Sequence, residues 1–168
     1  MIYVTSLARL HETVERTGAR HMVTLINAGT PVVRPQSVPE ENHLFLGFND
    51  ITEIMDGMTP PGAEHIDQYI SFLEGWDRAT PLVVHCFAGI SRSTAAGFIA
   101  ACALQPQRDE HEIAREIRKA SPSATPNALL VALADERLGR DGRMSAAVKA
   151  IGRGVDAYAG EPFLIAIG

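Results

Sequence analysis

Short apolar runs rich in β-branched residues alternate with helical patterns along the first half of the chain. Four such runs predict strands, at Ile2 to Thr5, His21 to Ile26, His43 to Phe48 and Pro81 to His85. The last run is apolar without interruption, which is typical of a strand covered on both faces in a parallel sheet. A polar helix is expected from about Leu7 to Arg16, ending before Gly18.

Helical periodicity dominates the second half of the chain. It predicts helices over Ala63 to Trp76, Ser93 to Leu104, Glu110 to Lys119, Asn127 to Leu138 and Met144 to Tyr158. The pattern that begins at Ser93 is apolar on all sides, as expected of a helix buried in the middle of a domain. In the last pattern an apolar stripe is expected to dock on the core; it comprises Met144, Val148, Ile151 and Val155.

Alternating strands and helices predict a three-layer α/β fold, with a central and mostly parallel sheet of about 4–5 strands flanked by helices. The segment Asn27 to Glu41 contains a glycine and three prolines and is interpreted as a long loop. The tail, Glu161 to Gly168, fits either an edge strand or an ordered extension, and its pattern does not choose between them. The length of 168 residues favours one domain over two.

Composition excludes several classes of protein. A net charge of -5 and a pI near 5.6 argue against a nucleic-acid-binding protein. The chain has neither a signal-peptide pattern nor an apolar run of membrane-spanning length, so we expect a soluble cytoplasmic protein. Cys86 and Cys102 are too few for a disulfide framework and lack zinc-site spacing, so free thiols and no metal or cofactor are expected. The oligomeric state stays open.

Candidate chemistry is concentrated between the buried strand and the buried helix, in what we call the cysteine loop: His85, Cys86, Phe87, Ala88, Gly89, Ile90, Ser91, Arg92 and Ser93. A tight loop that enters a helix N-terminus forms an anion site, since its backbone N–H groups point inward and the helix dipole adds positive charge. Gly89 permits a turn with positive φ, and the planar fork of Arg92 can hold two phosphate oxygens. The same field stabilises a thiolate, so Cys86 is expected to be ionised at neutral pH.

The residues HCFAGISRS resemble the HCx5R(S/T) signature of the protein tyrosine phosphatase superfamily. The small dual-specificity branch is nearest in length, and the order of elements is similar from about Ile2 to Leu138; residues 142–168 lie outside that core. The resemblance implies a phosphate monoester hydrolase with a phosphocysteine intermediate on Cys86. It also implies that the amides of residues 87–92 and the Arg92 guanidinium hold the phosphate oxygens, and that Ser93 assists breakdown of the intermediate.

A leaving oxygen needs a proton, so the mechanism requires a general acid outside the cysteine loop. Asp50 follows the strand that ends at Phe48, in the loop where the family places its acid. Asp56 lies in the same irregular stretch and is the alternative. A turn or helix cap at Asp50 is the non-functional explanation.

Three further residues have competing interpretations. By the resemblance, His85 braces the cysteine loop, although it would also simply end a strand. Ser93 is the catalytic hydroxyl or an N-cap of the buried helix, and the two roles are compatible. Asn127 matches a family asparagine that braces the loop, whereas Thr125 as N-cap before Pro126 would explain the same residues without function. Cys102 is interpreted as a core thiol.

The substrate class is narrowed by what the cysteine loop lacks. It contains no lysine, whereas relatives that act on phosphoinositides often have basic residues there, so a phosphorylated protein is favoured over a small phosphoester such as an inositol phosphate. The loop around Arg34 is expected to form a wall of the site. Two other hypotheses are an inactive phosphate-binding module and a rhodanese-type sulfurtransferase, and the latter would not need the upstream acid or the Arg-Ser ending.

Overall fold

The computed structural model describes residues 1–168 and contains five strands and six α-helices. The strands are β1 (Ile2–Ser6), β2 (His21–Ile26), β3 (His43–Gly47), β4 (Leu82–Cys86) and β5 (Phe163–Ile165). The helices are α1 (Leu10–Thr17), α2 (Ala63–Gly75), α3 (Arg92–Leu104), α4 (Glu110–Ala120), α5 (Ala128–Arg137) and α6 (Arg143–Ile151). None of the helices combines the length and the apolar character needed to cross a membrane.

The strands form one sheet in the order β3-β2-β4-β1-β5. The first four are parallel, and β5 runs antiparallel along the edge of β1, with Ile165 opposite Ile2. This confirms the predicted α/β fold with a mostly parallel central sheet. Because the parallel strands all end at the same edge, the residues that follow β2, β3 and β4 meet there.

Alternate side chains of each strand enter two separate cores. On one face α1 packs through Leu10 and Val14 against Met22 of β2 and Val83 of β4. On the other face α3 lies directly on β1 and β4, α2 and α4 contact the edge strands, and α5 and α6 pack against these helices. The apolar run of β4 is therefore buried on both faces, as its sequence predicts.

Helix α3 is the centre of the molecule. Its residues from Arg92 to Cys102 are all buried. A Cβ on Gly97 would lie 2.6 Å from Cδ1 of Ile165 and 2.9 Å from Cγ2 of Val4, so a larger residue would require these side chains to shift. This close packing fixes the N-terminus of α3 against the end of β4, where the cysteine loop lies.

The predicted C-terminal helix is too long. It was expected to reach Tyr158, but α6 ends at Ile151, because Gly152 takes a left-handed φ of 63° and breaks the helical hydrogen bonding. Met144 is buried as expected, whereas Val155 is 63% exposed and does not dock on the core. Beyond α6 the chain runs irregularly to β5, so part of the tail is an edge strand.

The first predicted helix also differs from the structure at its start. Leu7–Arg9 is a short 3₁₀ turn, and the α-helical part begins only at Leu10. Its end at Thr17 agrees with the expected stop, since Gly18 has a φ of 68°.

Candidate active site

The carbonyl groups of the cysteine loop point outward and are held by backbone N–H groups of other segments. The donor and acceptor pairs are Leu7 N to Phe87 O (3.1 Å), Gly160 N to Ala88 O (2.8 Å), Thr125 N to Ile90 O (2.9 Å) and Asn127 N to Ser91 O (3.2 Å). In a trans peptide the carbonyl and the following N–H point in opposite directions. The N–H groups of the four residues that follow these carbonyls therefore point into the loop, where they can bind an oxyanion.

Cys86 ends β4 at the bottom of this loop and is 3% exposed. Its Sγ lies 3.1 Å from Oγ of Ser93 and accepts a hydrogen bond from the N–H of Gly89 at 3.2 Å. A hydroxyl and an amide aimed at sulfur both favour the thiolate. Ser93 is the second residue of α3, and Ser91 occupies the N-cap position, so the N-cap interpretation of Ser93 is wrong.

Only glycine fits at position 89. Its φ is 72°, and a Cβ there would lie 2.9 Å from both the backbone N of Ser6 and the backbone C of Thr5. The turn that aims the Gly89 amide at the sulfur therefore depends on a residue without a side chain.

One half of the Arg92 guanidinium is hydrogen-bonded to the protein, and the other half has no protein partner. Nη1 donates to Oδ1 of Asn27 and to the carbonyl of Phe48, both at 2.7 Å. Nε is buried and has no partner. The free edge carrying Nε and Nη2 is the planar fork that can bind two oxygens of one tetrahedral anion.

Asn27 is a site residue that the sequence analysis missed. It directly follows β2, at the edge of the sheet where β4 also ends, so the fold brings it to Arg92. The available signal was its position as a polar residue just after a predicted buried strand, in a parallel sheet.

Asp50 lies at the rim of the cysteine loop. Its Oδ1 accepts hydrogen bonds from Oγ of Ser91 at 2.7 Å and from Nδ2 of Asn127 at 2.8 Å, which leaves Oδ2 without a protein partner. Asp56 is exposed and pairs with no side chain. The structure therefore brings Asp50, but not Asp56, into contact with the cysteine loop.

Asn127 connects the cysteine loop to the segment that carries Asp50. Its backbone N–H bonds to Ser91, while its side-chain amide donates to Asp50 and to the carbonyl of Ile51 at 3.2 Å. Its Oδ1 accepts from the N–H of Leu130, so Asn127 is the N-cap of α5. The alternative with Thr125 as N-cap is wrong.

His85 is fully buried, and burial lowers its pKa to about 4. The ring is therefore neutral at pH 7 and carries one N–H. Its Nδ1 lies 3.3 Å from the carbonyl of Cys86, which can only accept, so Nδ1 is the protonated nitrogen. Nε2 must then accept from the hydroxyl of Thr24 at 2.7 Å, and that hydroxyl accepts in turn from Nε2 of His43 at 2.8 Å. This chain of hydrogen bonds crosses three strands and fixes the orientation of the His85 ring.

Arg34 does not form a wall of the site. It bonds to the carbonyl of Val38 and lines a cavity beside Gly18 and Arg20, at the opposite edge of the sheet. The reason is topological: β2 and β3 are parallel, so the loop between them has to return to the edge where both strands begin. Asn27, at the start of that loop, does reach the site, where its side chain binds Arg92.

Comparisons with known proteins show which families and folds this chain is similar to. Residues 51–128, which include the cysteine loop, match the model of the protein-tyrosine phosphatase family. No curated protein is significantly similar in sequence.

Solved phosphatase structures share the fold at low sequence identity. DUSP15 has a TM-score of 0.62 and 19% identity, with 89% of this chain and 90% of that chain covered. The phosphatase domain of Yvh1 from Chaetomium thermophilum has a TM-score of 0.64 and 17% identity, covering 85% of this chain and 93% of that chain. The family match across the cysteine loop and the shared fold agree with the resemblance seen in the sequence: residues 51–128 are similar to protein-tyrosine phosphatases, and the chain has the fold of solved phosphatases.

Proposed function

We propose that this protein is a phosphatase that hydrolyses phosphate monoesters of proteins, phosphotyrosine above all, through a phosphocysteine intermediate on Cys86. One observation carries the mechanism. In a single loop, the sulfur of Cys86, with the Ser93 hydroxyl and the Gly89 N–H beside it, faces the inward-pointing amides and the unbonded Nε edge of the Arg92 guanidinium. Phosphate oxygens bound by these groups would place phosphorus directly above Sγ.

In the first step the Cys86 thiolate attacks phosphorus, a P–S bond forms and the P–O bond to the substrate breaks. The leaving oxygen takes a proton from Oδ2 of Asp50. This assignment is supported by the two hydrogen bonds to Oδ1, which turn the carboxyl group toward the loop and leave Oδ2 for the proton.

In the second step water attacks phosphorus, the P–S bond breaks and inorganic phosphate leaves. Asp50, now a carboxylate, takes the proton from the attacking water. The Ser93 hydroxyl, 3.1 Å from the sulfur, stabilises the departing thiolate by donating a hydrogen bond to it.

The surroundings of the loop support an aromatic phosphoester over a polyanion. The exposed side chains of Phe87 in the loop and of Ile54 and Met55 next to Asp50 are apolar. Met55 lines a cavity of about 450 Å³ together with Asp50 and Ser91. Arg153 lines a neighbouring cavity beside Ile90 and Ser91 and pairs with Asp156 at 2.7 Å, so the positive charge on this side of the loop is partly balanced by a carboxylate.

The test compares wild-type protein with Cys86→Ser, using Cys102→Ser as the matched control. Burial raises the pKa of Cys102 to about 12, so that thiol is not a nucleophile at neutral pH. Cys86→Ser should abolish hydrolysis of para-nitrophenyl phosphate and still bind inorganic phosphate, whereas Cys102→Ser should remain active. Residual activity of Cys86→Ser within tenfold of wild type would exclude the covalent mechanism.

Substrate class is tested on the same proteins with phosphotyrosine peptides, phosphoserine peptides, inositol phosphates and phosphoinositides. The highest kcat/KM is expected for phosphotyrosine peptides with apolar neighbours. A higher value for an inositol phosphate would identify a small-molecule phosphatase. Binding of phosphate without any turnover would indicate an inactive module, and turnover of thiosulfate instead would indicate a sulfurtransferase.

A further inference from the structure

The chain beyond α6 lies outside the matched family region, yet it contacts the cysteine loop directly. We propose that this segment, residues 152–161, sets the position of the peptide group that stabilises the Cys86 thiolate, with Gly160 as the positioning residue. The inference rests on the proposed function, since it concerns the nucleophile of that mechanism.

One peptide group connects the segment to the sulfur. The N–H of Gly160 donates to the carbonyl of Ala88 at 2.8 Å, and the N–H of the same Ala88–Gly89 peptide donates to Sγ of Cys86 at 3.2 Å. A donor on the carbonyl holds the plane of the peptide and polarises its N–H. Gly160 thus controls both the direction and the strength of a hydrogen bond to the nucleophile.

Gly160 is packed so closely that no other residue fits without moving the loop. It is buried, and a Cβ at this position would lie 2.6 Å from the carbonyl oxygen of Gly89. That neighbour is backbone of the cysteine loop itself, in the peptide group that directly follows the one bonded to sulfur, so a side chain would displace the loop at Gly89.

Both ends of the segment are held by other parts of the protein. At the far end Glu161 pairs with Arg9 at 2.9 Å, directly before β5 joins the sheet. At the near end the N–H of Gly154 bonds to Oγ1 of Thr125 at 3.0 Å, and Thr125 itself holds the carbonyl of Ile90. Arg118 fixes the start of the segment by donating to the carbonyl of Gly152 at 2.6 Å. Gly160 is therefore presented to the loop by a segment that is held on both sides.

The first test is Gly160→Ala, with Gly75→Ala as the matched control because Gly75 has open space for a Cβ. Gly160→Ala should lower kcat/KM for para-nitrophenyl phosphate about tenfold, weaken vanadate inhibition, and shift the pH dependence of Cys86 alkylation by iodoacetamide to higher pH. Gly75→Ala should change none of these. Unchanged alkylation and vanadate inhibition in Gly160→Ala would overturn the inference.

Tyr158→Ala separates positioning from substrate recognition. Tyr158 is 98% exposed within the same segment, so its removal should leave kcat and KM unchanged for both para-nitrophenyl phosphate and phosphopeptides. A rise in KM for peptides alone would make the segment a substrate-binding wall and contradict the positioning role.

A measurement on the wild-type protein tests the inference even if Gly160→Ala does not fold. As Cys86 ionises, the NMR amide proton signals of Gly89 and Gly160 should shift with the same midpoint, and both should stay constant in Cys86→Ser. A signal of Gly160 that does not follow the ionisation would overturn the inference. Absence of para-nitrophenyl phosphate turnover in the wild type would instead contradict the proposed function.

Discussion

Each charged side chain of the site has one part bonded to the protein and one part free. Nη1 of Arg92 is held by Asn27 and Phe48, while Nε has no partner. Oδ1 of Asp50 is held by Ser91 and Asn127. The bonded parts fix the orientation before the substrate arrives, and the free parts are the ones that the reaction requires.

The free oxygen of Asp50 leads to a kinetic prediction. Asp50→Asn should lower kcat by roughly 10²–10⁴ for an alkyl or phenyl phosphate whose leaving group is poor, because the amide cannot give a proton. The loss should be much smaller for an activated aryl phosphate. Steady-state kinetics with a series of leaving groups measures the difference.

Asp56→Asn is the matched control, because Asp56 is exposed and has no contact with the cysteine loop. It should keep wild-type rates for every leaving group. Equal losses for good and poor leaving groups in Asp50→Asn would remove Asp50 from the role of acid, and a selective loss in Asp56→Asn would assign the acid there.

Among the elements, a buried ion pair joins the helices that surround α3. Glu110 at the start of α4 accepts from Nη1 of Arg140 at 2.8 Å, and Nη2 of Arg140 donates to the carbonyl of Cys102 at 2.6 Å. Asp135 at the end of α5 accepts from the N–H groups of Gly142 and Met144, which start α6. These polar contacts fix how α4, α5 and α6 pack together behind the helix that carries the site.

Breaking this pair should destabilise the fold. Arg140→Met leaves the buried Glu110 with only the half-exposed Arg143 as its cationic partner, at 3.2 Å. The substitution should lower the free energy of unfolding by about 3 kcal/mol. Arg137→Met removes an ion pair of exposed side chains with Asp67 and should cost about 1 kcal/mol or less. Urea denaturation of both variants checks the comparison, and equal losses would mean that Arg140 contributes no more than a surface charge.

For the whole molecule, histidine burial makes stability depend on pH. Burial lowers the pKa of His85 to about 4, and it also lowers the pKa values of His21, His43 and His65. In the unfolded chain histidine titrates near 6.5, so below that pH the unfolded state binds more protons than the folded state. The contribution of these histidines to the free energy of unfolding is therefore fully present above about pH 6.5 and is lost progressively as the pH falls toward 4.

His85 is the largest single contributor to this acid sensitivity, at most about 3 kcal/mol for a shift of its pKa from 6.5 to about 4. In His85→Gln the free energy of unfolding should be lower at pH 7 and should fall less steeply toward pH 5 than in the wild type. Urea denaturation at several pH values measures both slopes. Parallel curves would mean that His85 is not the group that titrates.

Local chemistry explains why most elements and the central site were predictable from the sequence. The period of apolar residues places α2 and β4 within a residue or two of their true ends, because each element buries one face or is buried throughout. The cysteine loop was predictable because its nine residues are contiguous, and a strand, a glycine turn and a helix start already define an anion site.

Tertiary structure decided everything that depends on residues far apart in the chain. Asn27 reaches Arg92, and Gly160 reaches Ala88, only because parallel strands end at one edge and β5 returns the tail to β1. The apolar stripe after Met144 predicted a longer helix, whereas Gly152 ended it and released the segment that contacts the cysteine loop. Hydrophobic periodicity reports which face of an element is buried, but it carries no information on which distant backbone N–H will meet a given carbonyl, and that pairing is what holds this site in shape.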